Sequence, residues 1–305
     1  MSNFKQFLES KELSNTTIKR YNTKVLNFIS WLDKDNTEVE NTTTKELTAY
    51  LHFLQKKGLC NATRSHNLIA LRHYFNWQIL HNKRINNPAK HIKLRGTETK
   101  KLHDIFTIIA LEKLYNDYQI PSEDDKRNNR NWWQVHLLTR KRNKVALGLL
   151  IYQGLTTKEI DKLTLKDVQL REGKIYIQGN KKGAERSLEL KSYQIMDLME
   201  YQLKTREELL KLSNKESNQL FISNGKNAHS NDNWKRFAET LRKQNKKFQK
   251  FRQIRASVIT HWLGMYNLRQ VQYMAGHKHI SSTETYLVNK LEDLQSDIDK
   301  YHPMV

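Results

Sequence analysis

Near its C-terminus the chain reads Arg252-Gln253-Ile254-Arg255, then Ala275-Gly276-His277, then Ser281-Ser282-Thr283-Glu284-Thr285-Tyr286. Tyr286 follows His277 by nine positions, and the two arginines stand three apart. A phenol titrates near 10, so it attacks only if a base takes its proton and cations receive the charge of the reacting group. Side chains three apart share a helix face, so Arg252 and Arg255 can present two guanidiniums together. Their planar forks match the non-bridging oxygens of a phosphate. His277 offers a base or a donor. The residue types are those of a phosphate-attacking tyrosine site.

Composition points the same way. Lysine and arginine number 53 against 32 acidic residues, a formal net charge of +21 over 305 residues. The excess runs through the whole chain, which implies a polyanionic partner. No long apolar run or isolated basic amphipathic anchor suggests a membrane. The opening Met1-Ser2-Asn3-Phe4-Lys5-Gln6 lacks the apolar core of a signal peptide, so an intracellular, cytoplasmic protein is expected. The single Cys60 can form no intrachain disulfide and is expected to fill core space.

Three prolines and ten glycines favour a largely helical chain long enough for two domains. Ile18, Tyr21, Val25, Phe28 and Leu32 repeat at helical spacing after a candidate N-cap, Ser14. Thr43 and Glu46 form a capping box ahead of Leu47, Tyr50, Leu51 and Leu54. Leu68, Leu71, Phe75 and Ile79 make a third helix, and Asn86-Asn87-Pro88 stops the bundle. Lys19, Arg20, Lys24, Arg64, Arg72 and His73 take outward positions and are candidate DNA contacts. Residues 93–103 are polar and basic, the expected linker. Beyond it, a loop spans 120–131 and an apolar helix covers Val145 to Tyr152. Lys174 to Gln178 alternates like a strand, Gly179 to Gly183 turns, and Arg186-Ser187-Leu188-Glu189-Leu190 returns. Leu287, Leu291, Leu294 and Ile298 read as a final helix on the core. The expected fold is mainly α: a helical bundle over 1–92, then a mainly helical domain with a small β-sheet over 104–305.

The C-terminal motifs resemble the catalytic end of the tyrosine recombinases, the phage-integrase family, where His-x-x-Arg, Gly-His and a nucleophilic tyrosine stand at this spacing. Each motif is common by itself; the three in order are specific. Leu13 to Ile18, Ala70 to Phe75 and Asn87-Pro88-Ala89 look like phrases of the family's core-binding domain. The resemblance covers nearly the whole chain. It implies that residues 1–92 are a DNA-binding domain and 104–305 the catalytic domain, with Tyr286 as nucleophile and Arg255 and His277 beside it. Arg252 stands where the family has histidine; a guanidinium is no base, but it can bond a phosphate oxygen. The turn Gly179-Asn180-Lys181-Lys182-Gly183 looks like the hairpin whose lysine is the general acid, and both Lys181 and Lys182 fit. The implied partners are duplex DNA with inverted-repeat-like sites and further copies of the chain, a tetramer on synapsed DNA. A C-terminal tail of this kind can also dock on a neighbouring protomer. No cofactor is implied, neither ATP nor a metal.

One departure stands out. Gly154-Leu155 precedes the family's first catalytic arginine, and Thr156 occupies that position. Glu159, Leu163 and Asp167 keep the surrounding phrase. Removing one charge-assisted hydrogen bond to a phosphate costs about 1.5–3 kcal/mol, or about 2.7–4 kcal/mol in a preorganised site. Lys158, Arg171 and Arg186 are candidate substitutes. The alternative is a recombinase-like DNA-binding protein with weakened or absent catalysis and a regulatory or architectural role. A metal-dependent transposase needs an acidic ligand cluster that the sequence does not offer.

Overall fold

A computed structural model of the chain describes residues 2–33, 37–96, 104–122, 132–181, 183–214, 216–223 and 230–287. Two compact units divide between Lys101 and Leu102, and each is taken by itself.

The first unit is helical: α1 (Ser2–Ser10), α2 (Asn15–Leu32), α3 (Thr44–Lys56) and α4 (Asn61–Leu80). Ser14 caps α2 by accepting from the Thr17 amide, and Thr43 with Glu46 forms the capping box of α3. Apolar positions at three-four spacing turn inward, so Ile18, Val25, Phe28, Leu47, Leu51, Leu68, Leu71 and Phe75 are buried together. Phe28 meets Tyr50 edge-on at 4.9 Å. The first helix, not among those expected from the sequence, adds Phe4 and Leu8 to the same core.

Two outward assignments are corrected here. Arg64 is buried and ties α4 to α3, donating to the Leu51 carbonyl at 3.3 Å and to Gln55 Oε1 at 2.9 Å, with Asn61 as a further partner. Arg72 donates to the carbonyls of Ala89 and Ile92, holding the chain beyond Pro88 against α4. Both guanidiniums are used on backbone and amide oxygens, which satisfies them inside the fold. Lys19 and Arg20 are exposed, Lys24 is exposed along part of its length, and His73 stacks on Tyr21 at 5.4 Å. Cys60 is exposed at the N-cap of α4 instead of filling the core; its Sγ lies 3.3 Å from Thr63 Oγ1. Ile92 and Leu94 pack on the bundle and Asn61 donates to the Arg95 carbonyl, so the start of the expected linker belongs to this unit. The rest of that linker, residues 97–103, lies outside the described residues.

The second unit contains α5 (Ile108–Asn116), α6 (Trp133–Tyr152), α7 (Thr157–Ile160), β1 (Val168–Gln169), β2 (Lys174–Ile177), β3 (Arg186–Glu189), α8 (Ser192–Glu200), α9 (Arg206–Ser213), α10 (Ser230–Gln244), α11 (Phe251–Met265), α12 (Leu268–Ala275) and α13 (Ser281–Glu284). The strands form one antiparallel sheet in the order β1-β2-β3. Ile175 pairs with Leu188 and Ile177 with Arg186, so Ile175, Ile177 and Leu188 face the core. The apolar helix expected over 145–152 extends back to Trp133, which is fully buried. Of the expected 120–131 loop, residues 123–131 lie outside the described residues. So do Leu291, Leu294 and Ile298 of the expected last helix, whereas Leu287 packs on the core. No helix among the described residues is long and apolar enough to cross a membrane.

Candidate active site

The site is built around α11, which is buried from Gln253 to Thr260. Residues ahead of α5 hold its first turns: Gln253 Nε2 donates to the Asp104 carbonyl at 3.0 Å, and Ser257 Oγ accepts from the Phe106 amide at 2.8 Å. Arg255 therefore enters the interior with little freedom. Its Nη1 donates to the Gly154 carbonyl at 2.5 Å and its Nη2 to the Ala275 carbonyl at 2.6 Å. Those carbonyls close α6 and α12, so one guanidinium fixes both helix ends. Gly154 has φ +58°, and a Cβ there would stand 3.0 Å from the Trp262 ring and 3.1 Å from Val258 Cγ1.

His277 follows Gly276, the left-handed C-cap of α12. Its Nε2 lies 3.3 Å from Arg255 Nη2 and its Nδ1 2.9 Å from Thr283 Oγ1. Because the guanidinium can only donate, Nε2 is the accepting nitrogen and the proton sits on Nδ1, toward Thr283. Burial, then the charges of Arg255 and Arg186, push the His277 imidazole down to about 4. It is thus unprotonated at neutral pH. Tyr286 stacks on its ring, with centroids 5.9 Å apart and planes 10° from parallel, and is near enough to the Arg255 guanidinium to interact with its charge. Arg255, His277 and Tyr286, three of the residues singled out in the sequence, converge on α11, the turn after α12 and the turn after α13.

The hairpin reaches the same place. Ala184 donates to the Gly276 carbonyl at 3.0 Å, and Gly183 bridges to His277, pinning the β2–β3 turn against the histidine. Lys181 is on that turn and exposed; Lys182 lies outside the described residues. Arg252 stands on the first turn of α11, exposed, one turn before the buried Arg255.

Thr156 takes no part as a cation but has a clear local role. It is the N-cap of α7: its amide and Oγ1 both donate to Glu159 Oε2 at 2.8 Å, and its Oγ1 accepts from the Glu159 amide. The other carboxylate oxygen of Glu159 meets Arg186 Nη1 at 2.7 Å, and Arg255 Nη1 stands 3.8 Å from Oε2. Burial works to raise the Glu159 carboxyl, but the hydrogen bond and charge of Arg186, the charge of Arg255 and the Thr156 amide together hold it below the usual carboxylate range. Of the three candidate substitutes, Lys158 and Arg171 are exposed. Only Arg186 is brought inside, with a side chain fully shielded from solvent.

Thr283 and Glu159 carry site geometry to which the sequence motifs assign no role. Arg186 had a legible signal: it alternates with Leu188 and Leu190, so it falls on the apolar face of its strand. Thr283 has none beyond its place before Tyr286.

A helical site of this kind, a tyrosine beside an arginine and a neutral histidine with a basic hairpin turn against them, is that of a DNA strand-transfer domain. The chain belongs to the phage integrase family: residues 136–292 match the model of that family and residues 1–82 match the phage integrase N-terminal SAM-like domain. The tyrosine recombinase XerD of Oceanobacillus iheyensis is 26% identical over 309 residues, covering 99% of this chain and 98% of the relative. The tyrosine recombinase XerC of Escherichia coli O139:H28 is 27% identical, covering 96% and 92%. Among solved structures, the XerH site-specific recombinase bound to palindromic difH substrate superposes with a TM-score of 0.71 at 21% identity, over 95% of this chain and 82% of that one. The Tn1549 transposon integrase bound to transposon right-end DNA gives 0.62 at 15%, over 98% of each. At those identities the structures speak for the fold alone.

Proposed function

We propose that this chain is a site-specific DNA recombinase that cuts and rejoins strands through a 3′-phosphotyrosine. The single observation that carries this reading is the joint placement of Tyr286, His277 and Arg255. The Tyr286 oxygen forms a bond to the scissile phosphorus as the bond from phosphorus to the 5′-oxygen breaks. The Tyr286 phenol, turned off the face of the His277 ring on which it stacks, gives its proton to Nε2 as that nitrogen releases its hydrogen bond from Arg255. The 5′-oxygen takes a proton from the hairpin, from Lys181 or Lys182. Arg255 faces the non-bridging oxygens, with Arg252 adding charge at the rim. The phosphoester bond is exchanged, not hydrolysed, so rejoining draws on no external energy source.

The DNA would run along both units, with Lys19, Arg20 and Lys24 gripping phosphates from the first. Strand exchange joins two sites, each holding two copies, so the working form is a tetramer. A lambda integrase tetramer bound to a Holliday junction has the same fold, with a TM-score of 0.60 over 93% of this chain.

The test is covalent capture. A nicked duplex that loses its short 5′-hydroxyl fragment on cleavage should trap the chain on DNA, and Tyr286→Phe should abolish the adduct while changing DNA affinity less than about threefold, since only a hydroxyl is removed. An adduct that survives in Tyr286→Phe places the nucleophile elsewhere. Tight binding with no adduct in the parent leaves a DNA-binding protein without strand cleavage, the reading that the capped, uncharged Thr156 favours.

A further inference from the structure

Attack on a phosphodiester concentrates negative charge on its non-bridging oxygens, and fixed cations stabilise that charge. The cation buried beside the site on Arg255 is not free to do so alone. Glu159 stands 3.8 Å from it, anchored by two hydrogen bonds from Thr156. A carboxylate that close neutralises a guanidinium in a water-poor site. Arg186 changes the sum. Its Nη1 holds Glu159 Oε1 at 2.7 Å, and its side chain is fully shielded from solvent. Its Nε and Nη2 have no partner among the described residues, so no second anion competes for its charge. It is also wedged: a Cβ on Gly276 would lie 2.3 Å from Nη1 and 2.8 Å from Cζ. The guanidinium thus sits under the residue next to His277, where it cannot swing away from Glu159.

We propose that Arg186 is the charge-balancing residue of this site: by neutralising Glu159 it leaves the charge of Arg255 to the scissile phosphate, in place of the cation that Thr156 does not supply. Arg186 touches Glu159, not DNA, and is a positioning residue. Two cations against one carboxylate leave the buried site with one net positive charge. Without Arg186 the site is neutral, and a phosphate gains little by entering it. The inference rests on the strand-transfer reading above and deepens it.

The experiment separates charge balance from mere structure. The probe is a set of nicked duplexes whose sequence is selected by the Tyr286→Phe chain from a random pool. Each carries either a phosphodiester or an uncharged methylphosphonate at successive positions of the cleavable strand, and the covalent adduct is counted on a denaturing gel. Arg186→Ala should slow adduct formation about 100-fold on the phosphodiester, and less than about 10-fold on the methylphosphonate, which carries no charge to balance. Adding Glu159→Gln to Arg186→Ala removes the unbalanced carboxylate and should recover at least about 10-fold on the phosphodiester. Equal losses on both backbones, or no recovery in the double variant, overturns the proposal. A parent that forms an adduct only on the methylphosphonate also overturns it, while leaving Tyr286 as nucleophile. A parent with no adduct on either backbone sinks the strand-transfer reading, and this inference with it.

Discussion

Gly276→Ala tests the packing on which the site depends. Gly276 has φ +67°, a left-handed conformation that an alanine adopts at a cost of about 1–2 kcal/mol. Its new Cβ would stand 2.3 Å from Arg186 Nη1 and 3.2 Å from the Ala184 carbonyl, so something must move. If the guanidinium yields, the buried pair with Glu159 breaks, worth about 3–5 kcal/mol when one partner is left behind. If the turn yields instead, α12 loses the cap bonds from Gly276 to Tyr273 and from His277 to Gln272, at about 0.5–1.5 kcal/mol each. The cheaper route sets the outcome, so with the backbone strain the expected loss is about 2–5 kcal/mol. Calorimetry of the full chain should show the transition of the second unit falling by at least about 4 °C, at about 2–4 °C per kcal/mol for a unit of this size. In an Arg186→Ala background the Cβ has room, so the two substitutions should be less than additive by at least about 1 kcal/mol. A Gly276→Ala chain within about 0.5 kcal/mol of the parent, or strict additivity, would refute the close approach of Arg186 to Gly276.

Changing Lys19, Arg20 and Lys24 together to Gln should flatten the dependence of log K on log salt by about 0.9 for each phosphate that is no longer neutralised. Arg64→Ala should leave that slope alone and lower stability by about 2–4 kcal/mol, because it strips buried hydrogen bonds to Leu51, Gln55 and Asn61; the reverse pattern would return Arg64 to the DNA face. For pH, the folded chain holds His277 near 4, below the 6.5 of a free imidazole. The unfolded chain therefore binds the proton first, and the stability present above about pH 6.5 drains away as pH falls toward 4, by about 1–2 kcal/mol after discounting for the partly open ring. Urea melts at pH 7 and 4.5 should show that decline in the parent and lose it in His277→Gln; equal declines in both would assign it to other groups.

Most of the fold was legible because its signals are local. Ser14, Thr43 and Glu46 cap helices through atoms within three residues, and the apolar spacing from Ile18 to Phe75 follows from the helical period alone. The same local logic failed at Arg64 and Arg72. Charge alone assigns them to an outer helix face, but each reaches a neighbouring segment whose free carbonyls it satisfies. Nothing in the immediate sequence announces those acceptors. The order and spacing of Arg255, His277 and Tyr286 were readable; what holds them was not. Thr283 bonds His277 across a short turn, and the two carbonyls on Arg255 come from residues 101 positions upstream and 20 downstream. Such tertiary partners belong to the packed chain and not to any one segment.

Thr156 shows why a missing charge and a missing function are different claims. As the N-cap of α7 it donates twice to Glu159, and an arginine there would lose a cap worth about 0.5–2 kcal/mol. It would also bring a third cation to the one carboxylate already held by Arg186 and approached by Arg255. A phosphate responds to the net field of fixed groups, not to the residue that provides them. With Glu159 pinned on one oxygen by Thr156 and on the other by Arg186, the carboxylate is held in place and its charge is answered from β3. The positive balance that the site offers a phosphate is thereby set by a strand residue, and the helix cap at 156 is free to be uncharged.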